Sequence, residues 1–297
     1  MVLKSYAKLN LFLQVFRPKR KDNYHNLITL FERIDLCDII TVKKRKDGFI
    51  RVFCRHPGVP SGGKNLCFRA ARLLQEYSGV DSGVDITIKK RIPVGAGLGG
   101  GSSNAATVLA GLNKLWGLGL DSNRLVTLAA QIGSDVPFFI YNSPFAIGTS
   151  RGEKISPLRQ LKKIRIWHLL VVPRIHVSTP LIYGKFDRLP AGGQVFSGLT
   201  RPRYNVKILI SDLKKKPLSL RPGLLFNNLE AVTRKACPQV ERLKVKLQNL
   251  ISPNSVLMSG SGPAVFGIIA SKQEAVSLKR KLWPQLKGAA VFLVRTV

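Results

Sequence analysis

Acidic residues are scarce in this chain of 297 residues. It carries 16 Asp and Glu against 48 Lys and Arg, a formal net charge of +32. A field of this sign attracts anions such as nucleotides, nucleic acids and acidic lipids. The basic residues form many short clusters and no single tail or stripe with interleaved aromatic rings, so a general bias toward Lys and Arg on solvated faces is the favoured interpretation.

Cysteine is also rare, and long apolar runs are missing. The four cysteines contain no C-x-x-C pair, which argues against a zinc site or a disulfide framework and favours a reducing compartment. No stretch approaches the roughly 18 consecutive apolar residues of a membrane span. The first residues lack the apolar core and cleavage site of a secretory signal. We therefore expect a cytoplasmic protein without a membrane partner.

Apolar residues recur with the spacings of both strands and helices. The first 52 residues alternate as strands do, with Leu9 and Leu11 on one face. Asn65 is typical of a helix N-cap, and Gly79 of the residue that ends such a helix. Gly133 takes the C-cap position of a later helix.

The order of these elements predicts an α+β fold. The final part of the chain reads as strand, turn, strand, helix and strand, and Ser271 opens its helix with a capping box. A hydrophobic content of 45% allows a proper core, and the length suits two domains. We place the boundary between Gly148 and Ile164, which gives domains at residues 1–155 and 156–297.

A glycine-rich loop at residues 95–103 (GAGLGGGSS) carries the strongest functional signal. Without a Cβ, glycine lets successive backbone N–H groups approach phosphate oxygens closely. The helix predicted to follow directs its N-terminal N–H groups and positive dipole end to the same place. Such a loop suits a triphosphate.

Two other interpretations of the loop are weaker. Gly95, Gly97 and Gly100 satisfy the dinucleotide fingerprint, which requires an acidic residue about 20 positions on that ends a second parallel strand. Asp121 has this spacing, but it begins a helix instead. A flexible hinge would not explain three adjacent glycines, two serines and a well-formed helix. The Walker pattern and the protein-kinase motifs are absent from the sequence.

Five segments together resemble one enzyme family. They are residues 7–11 (AKLNL), 22–25 (DNYH), 93–106 (PVGAGLGGGSSNAA), 133–139 (GSDVPFF) and 259–267 (SGSGPAVFG). In order and separation they are similar to the 4-diphosphocytidyl-2-C-methyl-D-erythritol kinases. These kinases belong to the galactokinase, homoserine kinase, mevalonate kinase and phosphomevalonate kinase (GHMP) superfamily. Five motifs in register are far more specific than any one of them.

The resemblance implies both a fold and a reaction. The fold would be the two-domain GHMP kinase fold, with a ribosomal protein S5 domain 2-like N-terminal domain and a ferredoxin-like C-terminal domain. The reaction would be ATP-dependent phosphorylation of the 2-hydroxyl of 4-diphosphocytidyl-2-C-methyl-D-erythritol in non-mevalonate isoprenoid synthesis. ATP and Mg²⁺ would be the cofactors, and the cytidine diphosphate-linked alcohol the small-molecule partner. We expect a monomer or weak homodimer.

The sequence departs from the family pattern at two places. Asn23 stands where the family usually has glycine, and asparagine also tolerates a left-handed backbone. Asn228 stands where the family often has aspartate, so no catalytic role is assigned to it. The strong positive charge is likewise unusual for the family.

Asp135 is the candidate catalytic base, and Lys8 its partner. Phosphoryl transfer needs positioning, charge neutralisation and a group that accepts the proton of the hydroxyl. Asp135 follows a predicted helix end, so a capping or turn role is the alternative. Lys8 lies among alternating apolar residues, where an inward lysine is costly unless it is paired. The resemblance implies that the two residues form a pair; a solvent-facing strand lysine is the alternative.

The resemblance assigns the substrate to a second group of residues. His25 would contact the polar edge of the cytosine, and the ring of Tyr24 its face. Tyr183 is a second candidate for stacking, although packing with the hydroxyl exposed is the usual role of an isolated tyrosine. Asn10 would help to position the substrate.

The ATP-binding prediction covers the loop and one residue outside it, Asn65, for which helix capping is an equally good explanation. Ser103 is a weak candidate to reach Mg²⁺. His168 and His176 are interpreted as structural. The predicted ATP-binding residues are Asn65, Pro93, Gly95, Ala96, Gly97, Leu98, Gly99, Gly100, Gly101, Ser102 and Ser103.

Two competing functions come from other classes. A nucleic-acid-binding protein is suggested by charge alone, and the sequence lacks any recognised nucleic-acid-binding motif, so no nucleic-acid partner is expected. A related kinase acting on mevalonate, homoserine or a sugar is the other alternative. Tyr24 and His25 argue against it, because those substrates carry no base.

Overall fold

The computed structural model describes residues 1–17, 24–189, 205–215, 220–286 and 288–297. Asp22 and Asn23, which belong to one of the family-like segments, lie outside the described residues. So does most of the stretch from Pro190 to Pro222.

The described residues form strands and helices in a mixed order. The strands are β1 Val2–Val15, β2 Leu27–Arg45, β3 Ile50–Cys54, β4 Gly83–Lys89, β5 Phe145–Thr149, β6 Lys154–Pro157, β7 Trp167–Pro173, β8 Phe226–Asn227, β9 Val256–Met258, β10 Val265–Ile269 and β11 Ala289–Arg295. The α-helices are α1 Leu66–Ser78, α2 Gly100–Leu115, α3 Ser122–Ile132, α4 Val136–Ile140, α5 Thr179–Asp187, α6 Val206–Asp212, α7 Asn228–Ala236, α8 Pro238–Gln248 and α9 Lys272–Leu282.

Seven strands make the first sheet, in the order β3-β4-β2-β1-β8, with β5 paired to β2 and β6 to β5. The long pair β1–β2 is antiparallel and includes two register shifts. β8, from the second half of the chain, pairs in parallel with β1 at Phe12 and Leu13. The second half therefore completes the edge of the first sheet beside β1.

β1 is buried on both faces over most of its length. Its inner residues Leu9 and Leu11 share a core with Leu170 and Phe266 of the second sheet. On the other side, α2 packs across β1 and β2. The alternation expected for the first strand is present, with a polar side chain, Lys8, buried inside it.

The second sheet has four antiparallel strands in the order β11-β7-β10-β9. Its strands agree closely with those predicted from the C-terminal sequence. α8 and α9 cover this sheet and bury Leu169, Val265 and Leu243 in one cluster.

Helix ends follow the predicted capping residues. The Asn65 side chain accepts a hydrogen bond from the Cys67 N–H, and Gly79 ends α1 with φ 65°. The Ser271 hydroxyl accepts from the Glu274 N–H before α9. Gly133 follows the last residue of α3 as expected, but its φ of 174° is extended backbone, so this position does not require glycine.

Candidate active site

The glycine loop connects β4 to α2 through a left-handed path. Gly95, Gly97 and Gly99 have φ values of 67°, 75° and 67°. Other residues adopt these values only with strain, which explains the alternating glycines. A Cβ at Gly97 would overlap the carbonyl oxygen of Ser259, so the loop also needs glycine to pack against the 259–267 segment.

The loop forms the wall of a cleft of about 490 Å³, which we call the first cleft. Gly99 is the N-cap of α2, and the first turn of that helix contains no acidic side chain. Its free N–H groups therefore face the cleft without a competing anion. Of the predicted ATP-binding residues, those that line the first cleft are Asn65, Pro93, Gly95, Ala96, Gly97, Leu98, Gly99, Gly100, Gly101 and Ser102.

Ser103 is the exception in this set. Its side chain is 1% exposed, and its hydroxyl accepts a hydrogen bond of 2.8 Å from Ser5. It is not among the lining residues of the first cleft, whereas Ser102 is. Because α2 has already turned Ser103 toward β1, this hydroxyl is poorly placed to bind a metal between phosphates.

A buried ion pair, which the sequence analysis missed, supports the first cleft. Lys90 lines the cleft, and its Nζ lies 2.5 Å from Oδ2 of the fully buried Asp38. The other oxygen of Asp38 accepts hydrogen bonds from the backbone N–H groups of Arg91 and Ile92. Asp38 thus fixes both the cation and the chain that enters the glycine loop.

A second cleft, of about 860 Å³, meets the first one at the loop. Gly97, Gly99 and Thr179 line both clefts. The second cleft contains all the predicted catalytic and substrate-binding residues: Lys8, Asn10, Tyr24, His25, Asp135 and Tyr183. These residues come from four separate parts of the chain, and the fold brings them to one cavity.

Lys8 and Asp135 face each other where the clefts meet. Lys8 Nζ lies 3.4 Å from Asp135 Oδ2 and donates a hydrogen bond of 2.6 Å to Asn10 Oδ1. Asn10 in turn donates to the Thr29 hydroxyl. Lys8 is 4% exposed, so its ammonium is held in one place by these partners.

Asp135 has no capping role. It occupies the N-cap position of α4, yet its side chain makes no capping hydrogen bond. One third of the side chain, 34%, is exposed to the second cleft. The carboxylate is therefore available to a bound molecule. The capping alternative does not hold, although Asp135 does lie in the turn before α4.

The absence of a side chain at Gly99 leaves room for the Lys8 side chain. A Cβ at this position would lie 3.0 Å from Cγ of Lys8 and 3.1 Å from Cζ of Phe139. The same glycine that shapes the phosphate loop therefore also allows Lys8 to reach the junction of the two clefts.

At the far end of the second cleft, His25 packs against α5. Its Nε2 lies 2.6 Å from Oδ1 of Asp187, and its ring meets that of Tyr183 edge-on with centroids 4.9 Å apart. Burial raises the pKa of the Tyr183 phenol, and the charge of Asp135 adds to the rise, so the hydroxyl stays protonated. Tyr24 is more exposed, and the guanidinium of Arg151 lies 3.7 Å from its ring centroid.

Sequence reasoning did not find Asp187, Arg151 or Thr29. His25 and Asp187 are 162 positions apart, and neither lies in a motif that predicts the other. Thr29 is an ordinary strand residue until its hydroxyl is seen to accept from Asn10 and donate to the Phe12 carbonyl. These contacts depend on tertiary packing.

The two histidines interpreted as structural differ in position. His168 is fully buried, and its Nε2 lies 2.9 Å from Glu32 Oε1, away from both clefts. His176 lies beside the glycine loop, since a Cβ at Gly95 would be 3.4 Å from its Cδ2.

Comparison with known proteins relates this chain to one family of kinases. The models of the GHMP kinase N-terminal and C-terminal domains match residues 65–143 and 209–285. A 4-diphosphocytidyl-2-C-methyl-D-erythritol kinase of Gloeobacter violaceus is 40% identical over 99% of this chain and 93% of its own length. The chain belongs to the 4-diphosphocytidyl-2-C-methyl-D-erythritol kinase family. A relative with the same name from Geobacter metallireducens is 41% identical over 93% of this chain and 91% of its own.

Solved structures agree with this family. The crystal structure of a 4-(cytidine 5'-diphospho)-2C-methyl-D-erythritol kinase superimposes with a TM-score of 0.79 at 32% identity, covering 99% of both chains. A mevalonate kinase shares the fold, with a TM-score of 0.73 at 14% identity over 100% of this chain and 99% of its own. The α+β GHMP kinase fold predicted from the sequence is confirmed, and so is the family.

Two features are absent from the described residues. None of the helices there is long and apolar enough to cross a membrane. Within the same part of the chain, no three His, Cys, Asp or Glu side chains come together as a metal site.

Proposed function

We propose that this protein transfers the γ-phosphoryl group of ATP to the 2-hydroxyl of 4-diphosphocytidyl-2-C-methyl-D-erythritol. The observation that carries the proposal is the Lys8–Asp135 pair at the junction of two clefts. One cleft is walled by a glycine loop and a helix N-terminus, and the other is large enough for an extended nucleotide-linked alcohol.

The first cleft suits the donor. N–H groups of the loop and of the first turn of α2 provide hydrogen bonds and a positive dipole end to the phosphates. The ammonium of Lys90 stands nearby, 3.1 Å from where a Cβ on Gly100 would lie. The first cleft therefore offers the phosphates of ATP, the donor used by GHMP kinases, an anion site that includes backbone N–H groups.

The junction suits the transfer itself. An alcohol bound between the clefts places its oxygen beside Asp135, whose carboxylate accepts the hydroxyl proton as the oxygen attacks phosphorus. Lys8 lies beside this carboxylate, and its ammonium stabilises the negative charge on the attacking oxygen. Asn10 and Thr29 hold the ammonium in that position.

Magnesium fits this site only with few protein ligands. The carboxylates that line the two clefts within the described chain are Asp135 and Asp187, and they stand at different ends of the second cleft. Mg²⁺ commonly keeps several waters and binds through phosphates plus one or two protein oxygens. The Ser102 hydroxyl, which lines the first cleft, is the group that would hold it, and the bound ion would neutralise phosphate charge.

The outer end of the second cleft suits a pyrimidine. His25 offers a ring nitrogen to the polar edge, and Tyr24 and Tyr183 offer aromatic faces. Mevalonate and homoserine carry nothing that would use these rings, so the base end favours a nucleotide-linked alcohol over the substrates of related kinases.

The test is a coupled assay of ADP release with a panel of alcohols. We expect turnover with the cytidine diphosphate-linked methylerythritol and little with free methylerythritol phosphate, mevalonate or homoserine. Mass and NMR analysis of the product should place the new phosphate on the 2-oxygen. Equal use of the free sugar phosphate would contradict the proposal, because the base end of the cleft would then have no role.

A further inference from the structure

We propose that Asp187 fixes the tautomer of His25 and thereby makes the second cleft select a cytosine edge over a uracil edge. Asp187 acts through the histidine and is a positioning residue. The inference rests on the proposed function, because it concerns the base of that substrate.

The hydrogen bond between the two side chains decides which nitrogen carries the proton. His25 Nε2 and Asp187 Oδ1 are 2.6 Å apart. An ionised carboxylate can only accept, so Nε2 must donate. Neutral imidazole has a single N–H, and its Nδ1 is then left as an acceptor.

Three residues of one face of α5 hold the imidazole ring in this orientation. Tyr183, Phe186 and Asp187 are three and four positions apart, the spacing of helical neighbours. The rings of Tyr183 and Phe186 contact His25 edge-on, at centroid distances of 4.9 and 6.3 Å. The His25 side chain is 9% exposed and lines the second cleft.

The remaining nitrogen is available to a ligand. In the parts of the chain that the structure describes, no hydrogen bond reaches Nδ1 of His25. A largely buried acceptor beside two aromatic rings is suited to an N–H donor on a flat heterocycle.

Asp187 is badly placed for helix stability, which points to a different reason for its presence. It is the last residue of α5. The C-terminal end of a helix carries partial negative charge, so a carboxylate there is electrostatically unfavourable. Replacing it should therefore leave the helix folded.

The tautomer has a direct consequence for base choice. The 4-amino group of cytosine donates a hydrogen bond that an acceptor Nδ1 can take. Uracil presents its 4-carbonyl oxygen at the same edge, and two acceptors would then face each other. Leaving such polar groups unpaired reduces affinity by about 10- to 100-fold.

The experiment compares kcat/KM for the cytidine-linked alcohol and its uridine analogue in four proteins: wild type, Asp187→Ala, His25→Ala and the double variant. We expect wild type to prefer cytidine by about 10-fold or more. Asp187→Ala should lose most of this preference, mainly through a higher KM for the cytidine-linked substrate, with the KM for ATP unchanged. The double variant should show the same preference between the two substrates as His25→Ala, because Asp187 acts only through His25.

Two further variants guard against indirect effects. Lys185→Ala changes an exposed residue of the same helix and should keep the wild-type preference. Asp187→Asn preserves the shape of the side chain but can turn its amide N–H to Nε2, which moves the imidazole proton to Nδ1. Its preference should shift toward uridine, and nitrogen NMR of the His25 ring should show the exchanged tautomer.

The possible failures are distinguishable. If wild type prefers cytidine and both Asp187 variants keep that preference, the inference is overturned while the proposed function stands. An NMR spectrum of wild type with the proton on Nδ1 would overturn it as well. If wild type phosphorylates neither nucleotide-linked alcohol, the proposed function fails and the inference fails with it.

Discussion

The two clefts of this protein are built in opposite ways. The first takes nearly half of its lining residues from one continuous stretch, residues 93–102, whose glycines expose backbone groups. The second collects side chains from β1, the residues before β2, the loop before α4, and α5. A phosphate site made of backbone N–H groups can be predicted from a short sequence motif. A site made of paired side chains cannot, because its residues come together only in the folded protein.

Their electrostatics differ in the same sense. In the first cleft, the positive end of the α2 dipole stands near Lys90, whose charge is balanced by Asp38. In the second, polar side chains stand in discrete pairs, Lys8 with Asp135 and His25 with Asp187. Substitutions in the first cleft should therefore change nucleotide affinity, and substitutions in the second should change turnover and substrate choice.

The largest expected effect is at the junction. Asp135→Asn keeps the size of the side chain but removes the base, and we expect kcat to fall by about 10²- to 10⁴-fold. Nucleotide affinity and the melting temperature should stay near the wild-type values, because Asp135 does not line the first cleft and caps no helix. Steady-state kinetics and nucleotide titration measure both.

The matched control for Asp135 is Asp121→Asn, since Asp121 caps α3 on an exposed surface and asparagine caps as well. It should leave kcat unchanged. Near-normal turnover of Asp135→Asn would show that the second cleft does not carry the reacting groups.

A second, smaller effect is expected at the base end of the second cleft. His25→Ala removes the group proposed to read the base, and kcat/KM for the cytidine-linked alcohol should fall by about 10- to 100-fold. ATP affinity in the same variant should not change, which makes it an internal control. A parallel loss of ATP affinity would mean that the two clefts are not energetically separate.

The third prediction concerns a residue that belongs to both clefts. Gly99→Val forces a β-branched residue to φ 67° and pushes on Lys8 and Phe139. Left-handed backbone costs other residues about 1–2 kcal/mol, and the loop can relieve this strain only by moving the N–H groups that face the phosphates. Nucleotide affinity should therefore fall by about 10-fold, and kcat should fall with it.

Gly119→Val is the control for backbone strain alone, since Gly119 has the same φ of 67° and open space around it. It should lower stability by a similar amount without changing nucleotide affinity or kcat. If the two variants had identical kinetics, the phosphate site would have to lie elsewhere.

The smallest effect is expected at the edge of the first cleft. Asn65→Ala removes the N-cap of α1 and should lower the free energy of unfolding by about 1 kcal/mol. Asn65→Ser keeps a capping hydroxyl and should recover most of that stability. Nucleotide affinity should fall severalfold in both variants, because neither retains the amide. Full recovery of affinity by serine would leave Asn65 with a capping role only.

Several features could be predicted because they depend on neighbours in sequence. Asn65 and Ser271 cap helices through N–H groups two or three positions away. The glycine loop can be recognised in the sequence because its three left-handed positions favour glycine over other residues. At Ser103 the motif was insufficient, since the direction of one hydroxyl depends on how α2 packs against β1, where Ser5 lies.

The sequence by itself determined the α+β order, the family and the position of the anion-binding loop. Each of these depends on short-range spacing, on glycine geometry, or on five motifs kept in register. Only the tertiary structure decided that Lys8 meets Asp135, that Asp38 holds Lys90, and that Asp187 holds His25. These contacts join residues far apart in the chain. Their geometry follows from the burial of both faces of β1 and from the position of α5, and no short sequence pattern predicts either of these.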